Sequence, residues 1–195
     1  ATTEISTLSL HDALPILALE PLSDRVRFVV AQAAAWARLR RSPAGARRVA
    51  LLLANYPNQD ARLANGVGLD TPESAAVVMR ALEEAGYVVS GCPESGRALM
   101  DMLRAGPTNA RRRTSDVRLD RAAYARFSDA LPEELRSAVV ARWGAVEKDP
   151  AFRDGAFHLA LHRMGNVVVG IQPARGYEVD PKATYHDPAL VPPHG

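Results

Sequence analysis

The sequence predicts an α/β protein made of parallel strands and helices that are joined by long irregular loops. Two apolar runs, 49–54 and 167–171, are too short for helices and rich in branched aliphatic residues, which favours buried strands. Apolar residues also recur at helical spacing in several stretches. A third short run, 87–89, follows the first strand and one helix, and the order strand, helix, strand predicts a right-handed parallel crossover.

The loop after the first strand, residues 55–70, is called the glycine loop here. It contains Gly66 and Gly68, and it ends at a predicted helix start. Such a loop directs backbone N–H groups and the positive end of the helix dipole at a bound anion. Asn65, Gly66, Gly68 and Arg62 are therefore the candidate residues for binding a carboxylate or a phosphate. The alternative is a turn that needs positive φ at its two glycines and binds nothing.

The helix after the glycine loop has two possible starts. Either Thr71 is the cap with Pro72 at the first helical position, or Asp70 is the cap and Glu73 completes a capping box. Gly86 is a typical left-handed end for this helix. The expected apolar face consists of Ala75, Val78, Met79, Leu82 and Ala85.

The remaining elements are predicted from the same capping and periodicity signals. Ser23 is expected to cap a helix that ends at Arg41, in a turn rich in arginine. Further helices are expected at 95–103, 120–129 and 132–143, the last with Leu135, Val139 and Val140 facing inward and Gly144 as its end. Residues 105–118, which include Gly106, Pro107 and three arginines, are expected to form an exposed loop.

Composition and charge exclude several functional classes. The 195 residues are 47% hydrophobic and 24% charged, as in an ordinary globular protein, and the net charge of +2 is too small to attract nucleic acid. The single cysteine, Cys92, excludes an internal disulfide and a multi-cysteine metal cluster, so a reducing cytoplasm is expected. No apolar run reaches the roughly 20 residues that span a bilayer, and no secretion signal opens the chain.

Residues 1–16, ATTEISTLSLHDALPI, have a Ser/Thr-rich start and no helical period. The string resembles the conceptual translation of a sequencing adapter, so we expect it to be foreign and not to be part of the fold. A disordered natural tail is the alternative, and it makes the same structural prediction.

The C-terminal segment, residues 172–195, is rich in polar side chains and in proline. It follows the last predicted strand, and α/β folds place ligands at the carboxyl ends of parallel strands. The polar set is Gln172, Arg175, Tyr177, Glu178, Asp180, Lys182, Tyr185, His186, Asp187 and His194. His186 and His194, with Glu178 or Asp180, could bind a divalent metal through nitrogen and oxygen. Two surface histidines in a proline-rich loop are the alternative.

A second pair of histidines, His158 and His162, has the four-residue spacing of a helical metal-binding pair. The glutamate that follows the first histidine in the H-E-x-x-H pattern is absent here. We therefore interpret this pair as part of a covered helix face.

Four phrases of the sequence resemble a known family. They are NYPNQDARLANGVGLDTPES (Asn55–Ser74), EEAGYVV (Glu83–Val89), ALPEEL (Ala130–Leu135) and GNVVVGIQPARGYEVDPKATYHDPALVPPHG (Gly165–Gly195). They resemble the family of cobaltochelatase large subunits of the CobN type and magnesium chelatase H-type subunits. Two positions depart from the family pattern, since Ala61 replaces glycine and His162 replaces an apolar residue. The resemblance runs from residue 21 to residue 195, and members are far longer, so an internal fragment is expected.

The resemblance implies metal insertion. Co²⁺ would be placed into hydrogenobyrinic acid a,c-diamide, at the expense of ATP, in cobalamin biosynthesis. ATP hydrolysis is implied for separate AAA+ partner subunits, in agreement with the lack of a G-x-x-x-x-G-K-[ST] motif here. Candidates for the base or for transient metal binding are Glu178, Asp180, His186 and His194. Gln172, Arg175 and Tyr177 join the glycine-loop residues as candidates for holding the corrinoid.

Three alternatives stay open at this point. One is a magnesium chelatase H-type subunit, which would insert Mg²⁺ into protoporphyrin IX. Another is a non-enzymatic α/β module that binds an anionic small molecule through residues 65–70. The third is an interaction surface in which Arg111–Arg113 contacts an acidic ATPase partner, although a solvated loop is the simpler interpretation of those arginines.

Overall fold

A computed structural model describes residues 20–55, 60, 63–174, 176 and 189–194. The chain divides into two compact units, Ala1–Ser42 and Pro43–Gly195. The first unit contains one helix in its described part, α1 Ser23–Arg41, with arginines in its last turn as predicted. Ser23 is its first helical residue and Leu22 occupies the cap position without a side-chain hydrogen bond. The predicted Ser23 cap is therefore wrong, because a cap side chain must precede the first helical residue.

The second unit contains helices and short strands, which confirms the predicted α/β class. Its helices in the described residues are α2 Thr71–Glu84, α3 Gly96–Ala105, α4 Arg121–Asp129 and α5 Glu133–Trp143, with short 3₁₀ helices at Ala44–Ala46 and Val146–Lys148. Its strands are β1 Val49–Leu53, β2 Arg118–Asp120, β3 Phe152–Arg153, β4 Ala156–His158, β5 Leu161–Met164 and β6 Val167–Ile171. No described helix is both long and apolar enough to span a membrane.

The strands form two three-stranded sheets. In the first sheet, β6 lies between β1 and β5, parallel to β1 and antiparallel to β5. In the second sheet, β4 lies between β2 and β3, and both pairs are antiparallel. Parallel pairing is thus confined to β1 and β6 within the described residues.

The predicted parallel crossover between residues 49 and 89 is wrong. Residues 87–89 form no strand, and the parallel neighbour of β1 is β6. The Val88 carbonyl instead accepts a hydrogen bond from the Asn166 backbone N–H at 2.9 Å. Residues 87–89 are thus bonded to the turn between β5 and β6 instead of lying along β1.

The start of α2 follows the Asp70 alternative. The Asp70 carboxylate accepts a hydrogen bond from the Glu73 backbone N–H at 3.1 Å, and Pro72 lies in the first turn. The Glu73 carboxylate does not return to Asp70. It accepts a hydrogen bond from the Gly96 backbone N–H at 2.6 Å, so it links the starts of α2 and α3. Gly86 ends the helix with φ +83°, as predicted.

The buried face of α2 is rotated from the predicted one. The helix buries Ala75, Ala76 and Met79, whereas the predicted Val78 and Ala85 are exposed. The rotation arises because α3 packs along α2, and Ala75 and Met79 belong to the core that these helices share with the first sheet.

Two further predictions about which side chains are buried need correction. In α5, Val139 is buried as predicted, but Leu135 and Val140 are 37% and 52% exposed, because this helix packs through a narrow strip near the following 3₁₀ helix. In the loop after α3, Pro107 and Thr108 are buried. Thr108 forms a compact turn with Arg111, whose backbone N–H donates to the threonine hydroxyl at 2.9 Å. The Thr108 side chain is the buried part of this turn, and Arg111 is exposed.

The main core lies between the first sheet and the helices α2 and α3. Val167 and Val169 of β6 are fully buried there, together with Met79 and Leu99. A smaller core beside the second sheet is formed by Tyr124, Val146 and Phe157. The loops that carry the candidate functional residues therefore emerge from a rigid, well-packed sheet.

Candidate functional site

The parallel pair β1 and β6 brings the two predicted functional segments to one place. In the register of this pair, Leu53 lies opposite Ile171, so both strands end at the same edge of the first sheet. The Gln172 backbone N–H donates to the Leu53 carbonyl at 2.8 Å. The glycine loop and the C-terminal segment therefore leave this carboxyl edge side by side, at the position where α/β sheets place ligands.

Two polar side chains of the glycine loop have buried atoms without a hydrogen-bond partner. Asn55 is only 2% exposed, and neither its amide nitrogen nor its amide oxygen has a hydrogen-bond partner in the described part of the structure. In Asp60, Oδ1 is unpartnered in the same way, while Oδ2 forms an ion pair with Arg111 at 3.3 Å. Unpaired buried polar groups are costly and are enriched at functional sites. Neither residue is among the predicted site residues, although Asn55 lies only two residues beyond the end of β1.

The glycine loop contains a tight turn at residues 66–69. The Leu69 backbone N–H donates to the Gly66 carbonyl at 3.2 Å, and Gly68 has φ +76°. Gly66 is required for a different reason than predicted, because a Cβ atom there would lie 2.5 Å from the Thr71 hydroxyl oxygen. Asn65 is exposed beside this turn.

The positive end of α2 already has negative charge close to it. The carboxylate of Asp70 accepts a backbone N–H of the first turn, and Glu73 adds a second acidic side chain. An anion bound by Asn65, Gly66 and Gly68 would have to share this region with both carboxylates. Anion binding by the glycine loop stays a prediction, and Arg62 lies outside the described residues.

The C-terminal segment is described only at its two ends. Gln172 is exposed, and its carbonyl accepts a hydrogen bond from the Asn109 side-chain amide at 3.0 Å. The candidates that lie outside the described residues are Arg175, Tyr177, Glu178, Asp180 and His186, together with Lys182, Tyr185 and Asp187. Their predicted roles stay predictions.

His194, a predicted metal ligand, has hydrogen-bond partners at both ring nitrogens. Its Nδ1 lies 2.6 Å from the Tyr124 hydroxyl oxygen, and its Nε2 lies 2.8 Å from the Gly144 carbonyl oxygen. The ring also makes an edge contact with Tyr124, at 5.7 Å between ring centroids. Burial raises the pKa of the Tyr124 hydroxyl, so this group stays protonated and able to donate. Metal binding by His194 would require it to give up one of these contacts.

Two adjoining cavities lie between the sheets. The larger, about 600 Å³, is called the histidine cavity because His158 and His162 line it together with Ser115. The smaller, about 280 Å³, is the apolar cavity, lined by side chains that include Leu52, Phe157 and Ile171. The two cavities share three lining residues, Pro107, His158 and Leu161.

The predicted helical placement of His158 and His162 is wrong. His158 lies on β4, which a turn with positive φ at Asp154 and Gly155 pairs with β3. His162 lies on β5, which a turn with positive φ at Gly165 pairs with β6. The Ser115 backbone N–H donates to Nδ1 of His158 at 3.0 Å. The Nε2 atoms of both histidines are buried without a partner in the described residues. Burial also lowers the pKa of His162 below its ordinary 6.5.

The described residues contain no group of three or more His, Cys, Asp or Glu side chains arranged to hold a metal ion. Together with the contacts of His194, this means that the described part of the site offers hydrogen-bonding and apolar surfaces. Any metal-handling group among the predicted residues would come from the undescribed part of the C-terminal segment.

The sequence matches the family model described as CobN/Magnesium Chelatase over residues 5–195. The chain belongs to this family. The aerobic cobaltochelatase subunit CobN of a Sinorhizobium species is 50% identical to it over 96% of the chain. The H-type subunit of magnesium chelatase from Rhodobacter capsulatus is 29% identical over 91% of the chain. The matched range begins inside residues 1–16, which lie outside the described part of the structure.

A solved member of the CobN/magnesium chelatase family has the same fold. The catalytic subunit of cobaltochelatase from Mycobacterium tuberculosis matches with a TM-score of 0.72 and 33% sequence identity over 90% of the chain. The chain spans 15% of the length of that structure and 15% of the Sinorhizobium protein. These matches confirm the family resemblance and the α/β class, and they align the chain with one section of these longer proteins.

Proposed function

We propose that this chain is part of the tetrapyrrole-binding subunit of an ATP-dependent cobaltochelatase, which inserts Co²⁺ into hydrogenobyrinic acid a,c-diamide in cobalamin biosynthesis. The observation that carries the proposal is the 50% identity to a CobN subunit over 96% of the chain. The reducing cytoplasm expected from the single cysteine is the proposed location.

The geometry of the carboxyl edge supports a ligand site of this kind. The glycine loop and the C-terminal segment leave β1 and β6 side by side, and the apolar cavity lies close to the same edge, with Leu52 and Ile171 among its lining residues. A macrocycle with an apolar face and carboxylates around its rim needs both kinds of surface. Arg62 and Arg175 are proposed to bind the carboxylates, assisted by Asn65, Gly66, Gly68, Gln172 and Tyr177.

The chemistry of insertion assigns roles to the acidic and imidazole side chains. Ring nitrogens must lose their protons before they bind a metal, so a base is needed close to the macrocycle. Glu178, Asp180 and His186 are proposed as base or transient ligand for Co²⁺, which is a substrate here. Nitrogen and oxygen ligands hold Co²⁺ without the tight binding of several thiolates.

Cobalt is favoured over magnesium because the identity to CobN subunits, 50%, exceeds that to the H-type subunit of magnesium chelatase, 29%. Insertion of Mg²⁺ into protoporphyrin IX is the second candidate function. AAA+ subunits are the proposed partners that hydrolyse ATP. Arg111 and Arg113 already contact Asp60 and the Ala105 carbonyl, so docking of an acidic partner at these arginines would compete with contacts inside the chain.

A reconstituted insertion assay with the full-length protein that carries this chain tests the proposal. Replacing the proposed base by Glu178→Gln, and separately His186→Ala, is expected to lower the rate of Co²⁺ insertion about 100-fold while corrinoid binding is kept. Arg126→Ala, an exposed change on α4, is the control and should leave the rate unchanged. Wild-type rates in both site variants would remove these residues from the mechanism.

Two parallel measurements separate the other candidates. Insertion of Mg²⁺ into protoporphyrin IX, without activity on the cobalt pair, would favour the magnesium function. Titration with hydrogenobyrinic acid a,c-diamide and with ATP tests the non-enzymatic module, since binding of nucleotide without binding of corrinoid would favour that module over a chelatase.

A further inference from the structure

The described end of the C-terminal segment, residues 189–194, is attached to the small core beside the second sheet. The Trp143 indole N–H donates to the Val191 carbonyl at 2.9 Å. The Asp149 carboxylate accepts a hydrogen bond from the His194 backbone N–H at 3.1 Å. Asp149 is 3% exposed, so the backbone of this end is held by a buried anion.

The ring of His194 adds two further contacts, and their chemistry fixes the tautomer of its neutral form. The Gly144 carbonyl can only accept, so in the neutral ring Nε2 must carry the hydrogen. Nδ1 then has only a lone pair, which receives the hydrogen of the Tyr124 hydroxyl. Neither nitrogen therefore presents a free lone pair, which a metal ligand must have.

Tyr124 is suited to hold this histidine rigidly. Its ring is 8% exposed and packs against Phe157 with 5.0 Å between ring centroids. Phe157 also lines the apolar cavity, so the wall of that cavity and the docking point of His194 share one aromatic cluster. The packed ring fixes the position of the hydroxyl oxygen that faces Nδ1 of His194.

The other end of the C-terminal segment is fixed as well. Gln172 is bonded through its N–H to Leu53 and through its carbonyl to Asn109. Glu178, Asp180 and His186 lie between Gln172 and His194 in the sequence. Closing a loop at both ends removes most of its conformations, and small displacements of reacting groups cost large factors in rate.

We infer that Tyr124 is a positioning residue of the insertion reaction, and that it acts by docking His194 so that the C-terminal segment is fixed at its second end. His194 is then an anchor and not a metal ligand. The reaction itself rests on the proposed function, whereas the docking of residues 189–194 can be measured without any activity.

The first experiment compares Tyr124→Phe, His194→Ala, His194→Asn and His194→Gln in the full-length protein. Asparagine keeps an acceptor close to the Nδ1 position and glutamine keeps a donor close to the Nε2 position. We expect Tyr124→Phe to lower kcat for Co²⁺ insertion about tenfold, with the KM for the corrinoid within about twofold. The asparagine and glutamine variants should retain more activity than alanine, and the affinity for Co²⁺ should stay unchanged in all four.

Tyr87→Phe is the matched control, because it also removes a partly buried tyrosine hydrogen bond, here with the Arg47 guanidinium at 2.9 Å. It should leave kcat and KM unchanged. Equal loss of activity in all three His194 variants, together with weaker Co²⁺ binding, would overturn the anchor role and restore His194 as a ligand.

The second experiment measures amide hydrogen exchange of residues 189–194 by mass spectrometry. Pro192 and Pro193 carry no amide hydrogen, and the His194 amide is bonded to Asp149. Tyr124→Phe should speed exchange in this segment about tenfold, and Tyr87→Phe should not. Unchanged exchange in the Tyr124 variant would overturn the inference even if activity falls. If the wild-type protein inserts no metal but the exchange result holds, the proposed function fails and the docking role stands.

Discussion

The imidazole of His162 lies against the backbone at the end of α3, since a Cβ atom added to Gly106 would come within 2.6 Å of its Cε1 and Nε2 atoms. Its Nε2 has no partner in the described residues, and burial lowers its pKa. A charged imidazolium is disfavoured in such a place because it would lose its hydration without gaining a counter-ion. The folded chain therefore favours the neutral ring.

This preference predicts a pH dependence of stability. Below the ordinary pKa of 6.5, the unfolded chain binds a proton at His162 that the folded chain does not, so the free energy of unfolding falls as the pH falls through that value. Thermal unfolding at about pH 7.5 and about pH 5.5 should show a smaller difference in Tm for His162→Gln than for the wild type. Arg163→Gln, an exposed change next to it, should keep the wild-type difference. Identical pH profiles in wild type and His162→Gln would contradict this assignment.

At the scale of elements, the starts of α2 and α3 are packed against each other without space. The Glu73 carboxylate accepts the Gly96 N–H and lies 3.5 Å from the Arg80 guanidinium. A Cβ atom on Gly96 would lie 2.4 Å from the Glu73 backbone nitrogen. Glycine is needed here for close approach of two backbones, because this position has no positive φ.

Gly96→Ala is therefore expected to destabilise the second unit by about 2 kcal/mol or more, since the backbones of α2 and α3 must separate. Urea unfolding monitored by circular dichroism measures the change. Gly45→Ala is the matched control, because its Cβ would make only an ordinary contact, 3.6 Å from the Gly86 carbonyl oxygen. Equal stability of the two variants would show that the α2–α3 junction can relax.

The same elements show how far the sequence predicts the structure. Asp70 and Gly86 determine helix ends within a single turn, and so their roles could be predicted from the sequence. The pairing of β1 with β6 could not, because nothing local records which of two apolar runs far apart in the chain will meet. The strands of the second sheet are two or three residues long, too short for an alternating pattern to be recognised.

The candidate site was predictable to a similar degree. The start of the C-terminal segment at the carboxyl edge agrees with the rule for parallel strands, whereas the roles predicted for its side chains stay predictions. Asn55 and His158 were missed as unpartnered polar groups because burial of a polar side chain depends on tertiary packing, which a single sequence does not reveal.

At the scale of the whole molecule, stability is expected to be unevenly distributed. β6 is hydrogen-bonded on both sides and contributes three buried residues to the main core, Val167, Val169 and Ile171. The second sheet has only short pairings beside a smaller core. Regions with few buried contacts open more easily than the core does.

Native-state hydrogen exchange should therefore find the slowest amides in β6. The bonded amides of β2, β3 and β4 are expected to exchange roughly tenfold faster or more, because their sheet can open without global unfolding. Nuclear magnetic resonance or mass spectrometry of the chain gives the comparison. Equal protection of both sheets would mean that the second unit unfolds in one cooperative step.

The shared edge of β1 and β6 has a mechanical consequence. If a motor protein pulled the glycine loop and the C-terminal segment apart, the force would act first on the hydrogen bond between the Gln172 N–H and the Leu53 carbonyl. It would then act on the backbone hydrogen bonds between β1 and β6 one after another. Such peeling needs little force at any moment. Pulling the two strands past each other along their length would instead strain all of these hydrogen bonds at once. The strand pair is therefore easy to separate from its carboxyl edge and resists a force parallel to the strands.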